Sequence, residues 1–233
     1  MNGVTELASP AGAIDLVAAE AAVEAAVAQL LTALGQDAAS ERLRATPARA
    51  ATALLGLVVS PGAPTVKLMP AEGYRGLVLV RDIPFQSLCE HHLLPFRGRV
   101  HAGFLPGEHL VGLSTIARAV EHIAHGLQLQ ERMTQQLHDW LQLELAPRGA
   151  GVVVQAEHLC MSFRGVGTSD PQLVTDVFSG ALSDDLAARS AVFGTALLGT
   201  ASLDTAVLGT AVLDTAVLGT DVPASPASRG RHD

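Results

Sequence analysis

The segment SLCEHHLLPF, residues 87–96, contains four consecutive residues with chemically active side chains, Cys89, Glu90, His91 and His92. Cys89 and His92 form a C-x-x-H pair, a spacing that lets one turn bring a thiolate and an imidazole onto the same ion. The only other cysteine of the chain, Cys160, follows His158 by two residues in EHLCMSFRG. Two thiolates and one imidazole suit zinc, and a site with three protein ligands leaves a position for water, as catalytic zinc sites do.

Simpler interpretations compete with a metal site. A lone C-x-x-H pair is a weak signal, a buried cysteine is usually a small apolar side chain, and Cys89 and Cys160 could instead form a disulfide. The metal site is favoured because both cysteines lie within three residues of histidines, while Glu90 and His91 have no evident core role. The start of the chain has neither a basic segment nor an uninterrupted apolar span, which predicts a cytoplasmic protein with reduced thiols.

The composition predicts one domain of ordinary size with extensions. The 233 residues hold 15 Lys and Arg against 23 Asp and Glu, a formal charge of -8. A surface of this sign does not attract nucleic acid or an anionic membrane, so we expect neither as a partner. Any anionic ligand must therefore be held by a local cluster of cations.

The elements that would position these residues are helices and strands in mixed order. Apolar spacing by three and four predicts helices over 14–34, 46–57, 114–125 and 129–145, with Ser114 as the cap of the third. Strands are predicted over 77–81, in a hairpin within 99–114 that turns at Pro106-Gly107, and as a pair within 151–165. This order favours an α+β domain, with an antiparallel sheet that carries helices on one face.

The C-terminal part of the chain repeats every five residues from Ala191 to Thr220, as in ALLGT and AVLGT. The period resembles that of the pentapeptide-repeat family, whose chains coil into a square β-helix. The repeats would make only about one and a half turns of such a coil, so a low-complexity tail is an equally good interpretation. Residues 221–233 are expected to be disordered.

Four segments together resemble the successive signature blocks of GTP cyclohydrolase I: SLCEHHLLPFRGRVH, VGLSTIAR, LQLQERMTQQL and VVVQAEHLCMSFRGV. The resemblance runs from about Ala38 to Gly180. It implies a tunnelling fold, a toroidal homo-oligomer that is a decamer with active sites at subunit interfaces, and zinc as cofactor. It also implies conversion of GTP to 7,8-dihydroneopterin triphosphate plus formate, the first step of tetrahydrofolate, pterin or deazapurine biosynthesis. We therefore expect three parts, an N-terminal helical extension (1–60), a catalytic domain (61–185) and a tail (186–233).

The resemblance gives the matched residues three kinds of role. The positions that match zinc ligands are Cys89, His92 and Cys160. The catalytic positions are His91 and His158, for proton transfer, and Ser114. The substrate-binding positions are Gln130, Glu131, Glu90, Arg118 and Arg164. Glu131 is expected to bind the guanine edge because a carboxylate accepts from two adjacent N–H donors at once, and arginine forks fit phosphate oxygens.

Two positions depart from the family pattern. Most family members have lysine after the serine of this block, whereas this chain has Thr115, and a pair that is commonly basic is His125-Gly126. One charge-assisted contact is worth roughly 1.5 to 3 kcal/mol, so weaker GTP binding is expected. Two hypotheses follow. We favour a divergent cyclohydrolase because the matched catalytic positions are intact, and the alternative is a zinc-binding paralogue that acts on another purine nucleotide or in an assembly role.

Overall fold

The computed structural model describes residues 15–163, 172–185 and 187–190, together with Val192 and Gly194. All of these residues belong to one compact unit, Met1–Gly199. Arg164 and the five-residue repeats after Gly194 lie outside the described residues, and the predictions made for them stay predictions. The same is true of the division of the chain into three parts.

The described residues include six helices and seven strands with defined bounds. The helices are α1 (Leu16–Ala33), α2 (Thr46–Val58), α3 (Leu113–Ala124), α4 (Gln130–Leu145), α5 (Leu159–Ser162) and α6 (Ala181–Asp184). The strands are β1 (Leu68–Pro70), β2 (Val78–Cys89), β3 (Pro95–Leu105), β4 (His109–Val111), β5 (Leu127–Gln128), β6 (Gly149–His158) and β7 (Gln172–Gly180). The order confirms the α+β class predicted from the sequence.

A five-stranded sheet forms the centre of the domain. Its order is β5-β2-β3-β6-β7, and every pair is antiparallel except β5 beside β2. Helices α3 and α4 bury apolar residues spaced by three and four against one face of this sheet, as amphipathic helices do. The main core consists of these helix residues and of inward-facing strand residues such as Phe96, Val100 and Phe104.

The opposite face of the sheet carries a smaller apolar cluster. Its members are Val153, Val192, Leu77, Leu79, Val174 and Phe178. Gly103 makes room for this cluster, because a Cβ added there would lie 2.8 Å from Val192 Cγ2. Val192 is 0% exposed. The compact domain therefore includes residues beyond 190.

The four long helices are confirmed, each within two residues of the predicted ends. Ser114 does not cap α3, however. Gly112 occupies the N-cap position without a side-chain hydrogen bond, and Ser114 is the second helical residue. A serine two residues into a helix and a serine at its N-cap give the same local pattern, so the sequence does not distinguish the two positions.

The predicted hairpin within 99–114 is wrong. Strand β4 does follow the turn at Pro106-Gly107, but it pairs antiparallel with β1, with Leu68 opposite Val111, and not with β3. A turn motif marks where the chain reverses and does not specify which strand becomes the partner. Here the partner is a three-residue strand about forty residues earlier, too short to show a period.

Two other strand predictions also differ from the structure. The strand predicted over 77–81 continues to Cys89, because an irregularity at Asp82, whose φ is +59°, is followed by renewed pairing with β3 from Ile83 onward. The second of the two strands predicted within 151–165 is absent, since β6 ends at His158 and the next four residues form helix α5. Cys160 therefore lies on a single helical turn.

Helix α1 is the one described helix that is long and apolar enough to cross a membrane. Length and composition alone are a weak indication, and α1 contains Glu20 and Glu24. In this structure α1 lies against α2, where Thr52 Oγ1 donates to Glu20 Oε1 at 3.0 Å. The expectation that the protein has no membrane partner stays a prediction.

Candidate metal centre and active site

Two of the predicted metal ligands lie in the turn between β2 and β3. Cys89, the last residue of β2, is 5% exposed. The backbone N–H of Leu93 donates to Cys89 O at 2.9 Å, and Leu93 adopts a left-handed φ of +54°, so the chain reverses within a few residues. This turn places Cys89 Sγ 3.8 Å from His92 Nδ1.

The third predicted ligand reaches this turn from α5. Strand β3 pairs with β6 so that Phe96 lies opposite His158, which places the end of β6 beside the turn. The ligand atoms of Cys89, His92 and Cys160 all lie within 4.8 Å of one another. Ligands bound to one zinc ion at about 2.0 to 2.3 Å are about 3.5 Å apart in a tetrahedron, so these residues fit the ion after small adjustments. Within the described part of the chain, no disulfide joins the two cysteines.

His158 lies buried next to this group, and Gln130 holds its ring. Gln130 Oε1 is 2.9 Å from His158 Nε2, and the imidazole stacks on Phe96 with ring centroids 4.5 Å apart. The amide nitrogen of Gln130 donates to the carbonyl oxygens of Val154 and Leu173, both at 3.0 Å. Gln130 is 1% exposed. Its role in substrate binding stays a prediction, but both ends of its amide already have protein partners.

These contacts assign a tautomer to His158. Because Gln130 Oε1 can only accept, the hydrogen-bond network places a proton on His158 Nε2. Burial lowers the pKa of His158, and the nearby charge of Glu131 acts in the opposite direction. The neutral ring then presents Nδ1 as its acceptor nitrogen, so a proton can be exchanged at that atom while Nε2 stays bonded to Gln130.

Glu90 and His91 lie in the same turn as the first two ligands. His91 is exposed, and its Nε2 lies 4.0 Å from Glu90 Oε1. Glu90 is ion-paired with Arg132 of α4, a residue for which the sequence predicts no role. The sequence features that could have indicated this ion pair are Arg132, which follows Glu131 in QER, and Glu90, an acid in CEHH without a predicted protein partner.

Comparison with known proteins assigns the chain to a family. The family model for GTP cyclohydrolase I matches residues 23–196. This chain belongs to the GTP cyclohydrolase I family. Its α+β architecture fits the tunnelling fold of that family, and its Cys-His-Cys group, which could bind a metal ion, is consistent with a family zinc site.

Curated relatives in the family match most of the chain. The GTP cyclohydrolase 1 of Halalkalibacterium halodurans is 44% identical over 175 residues, which are 73% of this chain and 93% of the relative. That of Bacteroides thetaiotaomicron is 44% identical over 158 residues, covering 66% of this chain and 81% of the relative. Among solved structures, an apo archaeosine synthase QueF-Like matches with 15% identity and a TM-score of 0.37, covering 45% of this chain and 94% of that one, a likeness too slight to add to the assignment.

Three other matched positions of the family pattern, Ser114, Arg118 and Glu131, are exposed. Glu131 lies in the first turn of α4, and Ser114 and Arg118 lie one turn apart on α3. Within the described residues, no hydrogen bond or ion pair joins Ser114 or Arg118 to the metal group. Thr115, which stands where most family members have lysine, is 5% exposed, and its N–H donates to Gly112 O. The structure therefore brings together the candidate metal ligands, His158, Gln130 and Glu90, and leaves Ser114 and Arg118 exposed.

Proposed function

We propose that this protein is a zinc-dependent GTP cyclohydrolase I, a hydrolase that acts on the cyclic amidine of the purine. It would convert GTP to 7,8-dihydroneopterin triphosphate plus formate, the first step of tetrahydrofolate, pterin or deazapurine biosynthesis. The observation that carries the proposal is the group of ligand atoms from Cys89, His92 and Cys160, within 4.8 Å of one another and next to the buried His158. Membership of the family supports GTP as the substrate.

Cys89, His92 and Cys160 would hold the zinc ion. Two thiolates and one imidazole are a donor set that favours zinc over the harder magnesium and calcium ions. With three protein ligands, a fourth position remains for water. Bound zinc supplies a water molecule whose pKa is lowered to about 7.

The two histidines would move protons during the reaction. A proton donated to N7 of the purine makes C8 electrophilic, and His158 can exchange a proton at Nδ1 while Gln130 keeps Nε2 protonated. His91 is exposed, so it can exchange protons with solvent. One buried and one exposed imidazole are suited to separate donation and acceptance steps.

Glu131 would bind the guanine edge, and Ser114, Arg118 and Arg164 would contact the ribose and triphosphate. The exposure of Ser114 and Arg118 supports a site that is completed between subunits. We infer a toroidal homo-oligomer, a decamer by resemblance to the family, in which this face of α3 contributes to an active site at a subunit interface. A cytoplasmic location fits a protein that uses reduced thiols as ligands.

A second candidate is a zinc-binding paralogue that acts on another purine nucleotide or in an assembly role. The observation that favours it is Thr115, a buried hydroxyl where most family members have a cation, because a hydroxyl offers no charge to a triphosphate. Both candidate functions require zinc binding, but only the cyclohydrolase would turn over GTP.

Formate release from GTP by purified, zinc-loaded protein tests the proposal. We expect formate and a product that becomes fluorescent after oxidation, and we expect neither from the Cys160→Ser variant. No product at high GTP concentration with zinc bound would favour the paralogue. A protein that binds no zinc would contradict the metal centre itself.

A further inference from the structure

The first turn of α4 contacts both parts of the candidate metal centre, the β2–β3 turn with Cys89 and His92 and the segment that leads to Cys160 on α5. Gln130 bonds to His158, which lies two residues before the ligand on α5. Arg132 pairs with Glu90, which lies in the turn that carries the other two ligands. One helix end is therefore bonded to both chain segments that supply metal ligands.

Arg132 is held in place by several acceptors. Its Nη2 donates to Leu127 O at 3.2 Å as well as to Glu90 Oε2, and its Nε donates to Gln128 Oε1 at 3.1 Å. Gln128 is itself fixed, because its Nε2 donates to Ile123 O at 2.8 Å. An isolated surface ion pair contributes little, but a guanidinium that is oriented by several fixed partners loses less freedom when it binds a carboxylate.

Glu90 is bonded through its backbone as well as its side chain. Its N–H donates to Gln128 O at 3.1 Å, so Glu90 is joined both to the segment that leads into α4 and, through Arg132, to α4 itself. One carboxylate oxygen pairs with Arg132, and the other lies 4.0 Å from His91 Nε2. Both charged groups of the pair already have protein partners, which leaves them poorly suited to bind a nucleotide.

We propose that Arg132 is a positioning residue that acts through Glu90 to set the Cys89–His92 half of the metal centre. In contrast to the substrate-binding role that the resemblance implies for Glu90, neither Arg132 nor Glu90 would then bind the nucleotide. The inference rests on the proposed function, because it takes this centre to hold zinc. Loss of the outer partners of metal ligands typically costs about 10- to 100-fold in metal affinity. Arg132 acts through the turn rather than on a ligand atom, so the lower end of that range is expected.

The zinc affinity of the full-length protein, measured by competition with a chromogenic chelator, tests the inference. Arg132→Gln and Glu90→Gln are each expected to raise the Kd for zinc about tenfold. The double variant is expected to match the single variants, because all three lose the same interaction. Arg99→Gln is the control. It removes an exposed arginine that lies 3.9 Å from Asp82 on the same sheet, and it should leave the Kd unchanged.

Two further readouts separate positioning from other roles. With cobalt(II) in place of zinc, the visible absorption bands of both single variants should change, because they report the coordination geometry. The KM for GTP at saturating zinc should stay near the wild-type value. Equal urea unfolding midpoints of the zinc-free proteins would show that the variants keep the wild-type fold. If a single variant unfolds, Arg132→Lys is measured in its place, because lysine keeps the positive charge but lacks the forked guanidinium.

Two outcomes would overturn this inference and leave the proposed function intact. The first is a raised KM for GTP with unchanged zinc affinity, which would make the pair a nucleotide contact. The second is wild-type zinc affinity together with wild-type cobalt spectra in the variants. A wild-type protein that binds no zinc would instead overturn the proposed function, and the inference with it.

Discussion

Gln130 Oε1 lies 2.9 Å from His158 Nε2, while the amide nitrogen of the same glutamine donates to the carbonyl oxygens of Val154 and Leu173. Those two bonds fix which way the amide faces, and the amide in turn fixes the proton on the imidazole. His158 is thereby held next to the candidate metal ligands with Nδ1 as its acceptor nitrogen. A buried polar network of this kind is costly to break at any one member.

Gln130→Leu tests whether this bond serves catalysis. The variant should lower kcat for formate release by about 10- to 100-fold, because an unpositioned acid–base residue loses part of its contribution. The KM for GTP should change little, since Gln130 is buried. Stability should fall by about 1 to 3 kcal/mol for each buried group left without a partner, measured by urea unfolding.

Gln142→Leu provides the matched control on the same helix. Gln142 bonds to Ser179 on β7 and not to His158. We expect this variant to lose stability while its kcat stays near the wild-type value. A raised KM with unchanged kcat in Gln130→Leu would contradict the positioning role and favour a direct contact with guanine.

The two thiols should respond to metal removal together. Because Cys89 and Cys160 are the only cysteines, a thiol reagent applied to the native protein reports on the metal centre alone. We expect slow reaction with zinc bound and rapid reaction of both thiols after a chelator is added. Metal analysis of Cys89→Ser should show that zinc is lost. Equal reaction rates with and without chelator would count against the site.

Acid should destabilise the fold through His101. This side chain is 1% exposed, and its Nδ1 accepts the backbone N–H of Asp82 at 3.3 Å, which requires an unprotonated nitrogen. Burial lowers the pKa of His101, with Asp82 raising it and Arg81 and Arg99 lowering it further. His101 therefore binds a proton more readily in the unfolded chain than in the folded chain. Its contribution to the free energy of unfolding is complete above the ordinary histidine pKa of about 6.5.

The free energy of unfolding should accordingly decrease as the pH falls from about 7 through the lowered folded pKa of His101. His101→Asn keeps an acceptor for Asp82 and cannot be protonated. This variant should be less stable at neutral pH because of its smaller volume, but it should lose less stability on acidification. Urea unfolding at both pH values measures the difference, and an identical pH dependence in the two proteins would refute the assignment to His101.

A truncation tests where the compact domain ends. A chain that ends at residue 196, where the family match ends, should keep the thermal unfolding midpoint of the full chain. A chain that ends at residue 186 loses Val192, which is fully buried, and Arg189, which stacks 4.7 Å from the Phe178 ring. Burial of a valine side chain contributes about 1.5 to 3 kcal/mol, so the midpoint should drop. Equal midpoints for the two truncations would show that this segment adds nothing.

The candidate metal ligands could be predicted from the sequence because cysteine is rare in this chain and each cysteine has a histidine close to it in sequence. Two cysteines in the whole chain, each beside histidines, leave few alternatives, and the structure brings Cys89, His92 and Cys160 together. The long helices could be predicted for a related reason, since burial of one helix face imposes a period that is visible in any single window.

The partners of the site residues could not be predicted in the same way. Gln130 and His158 are 28 residues apart, and they meet only because α4 packs across β6. In the sequence Gln130 stands beside Glu131, which suggested a substrate contact. The pairing of Glu90 with Arg132 depends in turn on the short parallel strand β5 beside β2, which has too few residues to show a pattern. Contacts between distant segments are set by packing.

Formate released per GTP consumed is a direct measure of the proposed cyclohydrolase activity. With zinc-loaded, full-length protein, we expect equal amounts of formate and of a pterin triphosphate from the GTP that disappears, and no formate from Cys160→Ser. GTP that remains intact in the presence of protein with zinc bound would contradict the proposed activity.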